Sequence, residues 1–173
     1  DWTFFEIDRA VADFSERGRF TFLERCTPEA AIVLGDARQK LEEMPASAFD
    51  VLVVDAFSSD SIPLHLLTEE ALRLYADRVG PKGIVLIHVS NRYFDLPPVV
   101  GDMARATGLT GRLLTDRPKA PHATPSLWIA LSRDAELIRQ LPDITGTKDW
   151  KPLAETGKRP WKDDRASILS ALQ

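Results

Sequence analysis

The sequence predicts an α/β fold with a mostly parallel sheet, and three observations carry that prediction. Four short apolar runs recur, each ending in polar residues: "WTFFEID", "AAIVLGD", "FDVLVVD" and "GIVLIHVSN". Their length and β-branched content suit strands buried on both faces, as in a parallel sheet covered by helices. Helical patterns lie between them, and that alternation of strand and helix is what builds such a sheet. Two later runs, "TGRLLT" and "SLWIALS", have only a Pro-rich loop between them and predict an antiparallel edge.

Each element follows from local chemistry. A helix is expected over Arg9–Arg17 after the first run and over Ala37–Glu43 after the second. The third run leads to "LTEEALRLYADRV", Leu67 to Val79, where Thr68 is a good N-cap although Ala71 stands where a capping box wants Glu or Gln. "GPKG" stops that helix and turns into the fourth strand. A further helix starts near Pro97 or Pro98 and ends at Gly108. From Leu141 to Asp164 the chain reads as a polar segment with several Pro and Gly, and "RASILSALQ" as a last short helix. The expected organisation is a partial nucleoside-binding catalytic domain over 1–140 and a tail over 141–173 that packs on or covers the site.

Composition narrows the class. The chain has 173 residues, 44% hydrophobic and 28% charged, enough for one globular domain with a real core. Its net charge is -4 and its 22 basic residues are scattered, which argues against nucleic acid as a partner. No apolar run approaches the roughly 18 residues of a membrane span. No signal peptide is visible, and the single Cys26 fits a reducing compartment, so a cytoplasmic setting is expected. His65, His88 and His122 lie far apart, without metal-ligand spacing, and no metal is expected.

The strand ends carry the chemistry. Ligands of open α/β sheets bind beyond the carboxyl ends of the strands. Those ends hold Glu6 and Asp8, then Gly35 and Asp36, then Asp55, then His88, Ser90 and Asn91. One reading is that each acid only caps the helix that follows. The other is a ligand site, since several acids on one rim are costly without cationic or donor partners. An acid ending an early strand suits the two hydroxyls of a ribose. The Gly35–Asp36 pair lets backbone come close while its carboxylate accepts from an adenine amino group. No phosphate-cradling glycine loop is visible, so a positively charged nucleoside without phosphates fits better than NAD or ATP. S-adenosylmethionine and its decarboxylated relative are such molecules.

"FFEID", "VLGDAR", "FDVLVVDAFSSDSIPLHLLTEEAL" and "GIVLIHVSNRY" together resemble the spermidine synthase-like (polyamine aminopropyltransferase) family, in particular its bacterial branch often fused to membrane segments. The likeness spans about Trp2 to Ser132. It implies a Rossmann-like methyltransferase fold, with Glu6, Asp8, Gly35, Asp36 and Ala37 around the donor nucleoside. It makes Asp55 the catalytic acid and Asp60 the acid that holds the amine acceptor. In the family these two acids stand three apart and are followed by Pro; here they are five apart, with Ser61 and Ile62 before Pro63. The family also carries a strand and glycine-rich loop just before "FFEID", so the chain is expected to be a fragment lacking them. Their absence would open a gap between the first and third runs. It would be filled by direct pairing of those strands, by a second copy of the chain, or by upstream residues.

The implied reaction is displacement at the carbon beside a sulfonium by an amine, with Asp55 as the base. The expected activity is transfer of an aminopropyl group from decarboxylated S-adenosylmethionine to a small, putrescine-like amine. Two alternatives stand beside it: a methyltransferase using S-adenosylmethionine, and a non-catalytic nucleoside-binding domain of a membrane protein. Ser58 and Ser59 lack a Gly-x-Ser-x-Gly frame, which argues against a serine nucleophile. All three histidines are expected to be structural. Trp161, Asp163 and Asp164 would either fold over the pocket or, by the simpler reading, cap the last helix while the tryptophan packs.

Overall fold

The computed structural model describes residues 1–16, 18–56, 63–118 and 122–171. The chain divides into two compact units, Asp1–Pro45 and Ala46–Gln173.

The first unit runs β1 (Thr3–Glu6), α1 (Arg9–Glu16), α2 (Phe22–Cys26), β2 (Ala31–Leu34) and α3 (Ala37–Glu42). β1 and β2 pair in parallel, Thr3 opposite Ala31 through Glu6 opposite Leu34. Asp8 starts α1 by accepting from the Ala10 N–H at 2.8 Å, and Arg9 ties the helix surface by pairing with Asp13 and Glu16, each at 2.8 Å. Phe14, Phe20 and Phe22 form a chain of rings with centroids 5.4 and 6.4 Å apart across the turn into α2. That helix was not expected: with five residues it has too few turns for a periodic pattern to register.

The second unit contains β3 (Val51–Val54), α4 (Glu69–Val79), β4 (Ile84–His88), α5 (Pro97–Thr107), β5 (Thr110–Asp116), β6 (Ser126–Ser132), α6 (Ala135–Thr145) and β7 (Trp150–Pro152). Its strands form one sheet in the order β3-β4-β6-β5-β7. β3 and β4 are parallel; β6 is antiparallel to β4 and β5, and β7 to β5. Within each unit, β1 pairs with β2 and β3 with β4 among the described strands. On β3, Leu52 and Val54 are buried while Val51 and Val53 are about half exposed, at 51% and 47%.

Helices cover both faces of this sheet. Side chains alternate along a strand, so Ile84 and Leu86 of β4 pack with Ile138, Leu141 and Trp150 on the α6 side. Val85 and Ile87 therefore turn to the face served by α4, where Leu72, Tyr75 and Ala76 are also buried. Thr68 caps α4 as the sequence indicates, accepting from the Ala71 N–H at 3.2 Å. Gly108 ends α5 at φ +71°, a left-handed conformation that glycine adopts without a Cβ penalty.

The segment read as polar from Leu141 onward is more ordered than that reading. α6 extends to Thr145 with Pro142 inside it, and Trp150 begins β7. Pro142 and the three-residue strand suppressed the sequence signal. Asp134 supplies the cap, accepting from Glu136 and Leu137 N–H groups at 2.9 and 3.1 Å. A 3-10 turn, Ile168–Ala171, stands within the segment expected to be a short helix.

Residues 156–171 are fastened to α4, to α5 and to the segment before α5. The Glu69 N–H donates to the Trp161 carbonyl at 2.8 Å and the Asp95 N–H to the Ala171 carbonyl at 2.8 Å. Trp161 is buried. Asp163 accepts from the Thr68 hydroxyl at 2.8 Å, and its own N–H donates to Glu70 at 3.1 Å. Gly101 permits this packing, because a Cβ there would lie 1.9 Å from the Ala154 carbonyl oxygen.

Candidate functional site

In the first unit the acids sit where the sequence places them, at the ends of β1 and β2. Glu6 is the last residue of β1, and its Oε1 accepts from the Asp8 N–H at 2.8 Å. The Glu6 carbonyl accepts from the Gly35 N–H at 2.9 Å, which brings the turn after β2 against the tip of β1. Gly35 adopts φ +133°, and a Cβ there would meet Lys40 Cε at 3.1 Å. A side chain at position 35 would thus be strained in backbone and crowded as well. Asp36 is the N-cap of α3, accepting from the Gln39 N–H at 3.1 Å, and Ala37 is the first helical residue. The capping reading therefore holds for Asp8 and Asp36. It does not exclude a ligand, since each carboxylate has two oxygens and about four acceptor positions.

Asp55 behaves differently. It follows the last residue of β3, is exposed, and caps no described helix. Its Oδ1 lies 2.7 Å from His88 Nδ1. His88 ends β4, the parallel neighbour of β3, one rung beyond the Val54–Ile87 pair. His88 Nε2 lies 2.7 Å from the Ser90 hydroxyl, which also accepts from the Leu127 N–H at 2.8 Å. The imidazole stacks on Trp128, its register partner on β6, with ring centroids 4.8 Å apart and planes 24° from parallel. The result is a carboxylate at an open strand tip, held on one oxygen by a ring that is itself held on both nitrogens and one face.

The bond between His88 and Asp55 is a contact that sequence reasoning missed. A signal existed: His88 and Ser90 are two apart on an extended segment, which puts them on one face. Nothing in the sequence said that this face looks at Asp55. Asp60, expected to hold an amine, lies outside the described residues, as do Ser58 and Ser59. Among the described residues no group of three or more His, Cys, Asp or Glu side chains is placed to hold a metal ion, and no helix is long and apolar enough to cross a membrane.

No protein-family model matches the chain, and no curated protein matches it. Solved structures do. A probable spermidine synthase from Corynebacterium glutamicum superposes with a TM-score of 0.66 at 16% identity, over 96% of this chain and 64% of that one. A spermidine synthase in complex with the transition-state analogue AdoDATO gives 0.62 at 14% identity, over 98% and 57%. The spermidine synthase from Thermotoga maritima gives 0.58 at 16% identity, over 99% and 56%. The chain has a spermidine synthase-like, Rossmann-like α/β fold and spans about six-tenths of the length of these proteins.

Proposed function

We propose that the chain is the nucleoside- and amine-handling part of a spermidine synthase-like transferase. It would move an aminopropyl group from decarboxylated S-adenosylmethionine to a small amine. The observation that carries this reading is Asp55: an exposed carboxylate at the carboxyl end of a parallel strand, held on one oxygen by His88 and capping no described helix. The likeness of fold to spermidine synthases adds to it.

When bound, the donor supplies a carbon activated by a neighbouring sulfonium; the chain's residues bind, orient and move a proton. The acceptor amine arrives as an ammonium with a pKa of about 10, like lysine, and must lose a proton before its lone pair can attack. Asp55 would take that proton and stabilise the cation beside it. Glu6 would accept from ribose hydroxyls and Asp36 from the adenine amino group, with Gly35 leaving room for the nucleoside. This set of carboxylate acceptors and close backbone fits the hydroxyls and amino group of a nucleoside. Asp60 would pair with the distal ammonium of the acceptor.

The test is a transfer assay on the intact protein with each donor, decarboxylated and carboxylated, and a panel of diamines. Asp55→Asn keeps the shape and removes the base, and should lower the rate by roughly 10²-fold or more. Asp36→Ala should weaken nucleoside binding by about 1–3 kcal/mol. Normal turnover in Asp55→Asn would remove the amine base from this account. Methyl transfer in place of aminopropyl transfer would reassign the donor.

A further inference from the structure

We infer that His88 is a positioning residue that fixes the orientation of Asp55 through a one-directional chain of hydrogen bonds anchored in the sheet. The kinetic part of this inference rests on the function proposed above; the structural part stands without it.

The direction of the chain follows from what each group can donate. An ionised carboxylate only accepts, so the 2.7 Å contact to Asp55 Oδ1 places a proton on His88 Nδ1. In a neutral imidazole that proton leaves Nε2 as an acceptor, so the Ser90 hydroxyl, whose oxygen accepts from the Leu127 N–H at 2.8 Å, donates to His88 Nε2 at 2.7 Å. The order is thus Leu127 N–H to Ser90, Ser90 to His88, and His88 to Asp55. Its origin is rigid, because the Val89 N–H donates to the Leu127 carbonyl at 2.9 Å and locks the segment carrying Ser90 to β6. The ring cannot swing, since Trp128 stacks on it at 4.8 Å.

The same three residue types in the same sequence of contacts make up hydrolytic triads, where serine is the nucleophile. Here the backbone N–H of Leu127 holds the serine oxygen, and the chain terminates on the carboxylate. The reactive end is Asp55. Its Oδ1 is committed to His88, and no described residue engages Oδ2, so Oδ2 is the oxygen that faces an incoming ammonium. In the proposed transfer an N–H proton of the acceptor passes to Oδ2 and the bonding pair stays on nitrogen. That pair forms the new N–C bond as the C–S bond breaks and its electrons go to sulfur. An exposed carboxylate without this tether would rotate, and a misplacement of about 1 Å can cost on the order of 10²-fold in rate.

Two variants separate positioning from simple packing. Asn carries its amide nitrogen near where Nδ1 sits, so His88→Asn can still donate to Asp55. Gln reaches the Nε2 position, so His88→Gln keeps the Ser90 contact and loses Asp55. We expect His88→Gln to lower kcat by about 10–10²-fold with little change in KM for the donor, and His88→Asn to recover most of the loss. Equal losses in the two variants overturn the inference. Independently of turnover, nitrogen NMR on the 173-residue chain with labelled histidine should show His88 as the Nδ1–H tautomer. It should lose that form in Asp55→Ala, with His65 and His122 unchanged. An Nε2–H tautomer in the unmodified protein, or no response to Asp55→Ala, also overturns it. So does covalent labelling of Ser90 by a fluorophosphonate, which would make serine the reactive end. If the intact protein transfers nothing from either donor, the proposed function falls, and the histidine spectra still decide the tether.

Discussion

The hydroxyl of Thr68 donates to the Asp163 carboxylate at 2.8 Å while its oxygen accepts from the Ala71 N–H at 3.2 Å. One buried side chain therefore both starts α4 and fastens a segment 95 residues further along. Thr68→Ala should lose both functions and destabilise the protein by about 1–2 kcal/mol, the upper range for an N-cap. Thr68→Ser should retain most of them. Urea midpoints of the two variants provide the check, and an unchanged midpoint in Thr68→Ala would show that the clasp contributes nothing.

Asp102 makes the second fastening. Its carboxylate is almost fully buried on α5 at 2% exposure, and accepts from the Thr156 and Gly157 N–H groups at 3.1 and 2.9 Å. The Thr156 hydroxyl donates to the same carboxylate. Removing it takes away hydrogen bonds to a charged acceptor, a loss of roughly 1–3 kcal/mol. Asp102→Ala should speed hydrogen exchange at the Thr156 and Gly157 amides well before global unfolding. Unaltered protection there would show that the tail is held by other contacts.

Glu69 makes the clasp sensitive to acid. A hydrogen bond from Arg73, at 2.6 Å, is the main reason its carboxyl is held below the ordinary carboxylate range. Burial opposes this, and the charge of Lys162 assists it. A folded pKa below the unfolded one adds stability above the unfolded value, about 4.3 for Glu, and that stability is lost as pH falls through the folded value. Glu69→Gln should therefore cost most at neutral pH, and its deficit should shrink below about pH 4. A deficit that stays constant from neutral pH to pH 3 would exclude the charged contacts as its source.

The alternation of apolar runs with helical patterns specified β1 to β4 and the helices Arg9–Glu16, Glu69–Val79 and Pro97–Thr107, because periodicity and caps act within a few residues. Thr68, Gly108 and the strand-tip acids Glu6, Asp36 and Asp55 were legible for the same reason. α6 and β7 were not, since Pro142 and a strand of three residues leave too little local pattern.

By itself the sequence determined which carboxylates stand at strand ends, for a strand's end is written in its own residues. The tertiary structure alone decided what each acid does there. Asp8 and Asp36 cap helices that follow them directly, whereas Asp55 meets His88, 33 residues away. That contact exists because β3 and β4 pair in parallel with a register that puts their tips side by side, and because β6 supplies Trp128 and Leu127 to hold the ring and its serine. Register between strands depends on the burial of whole faces at once, and no short stretch of sequence carries that information.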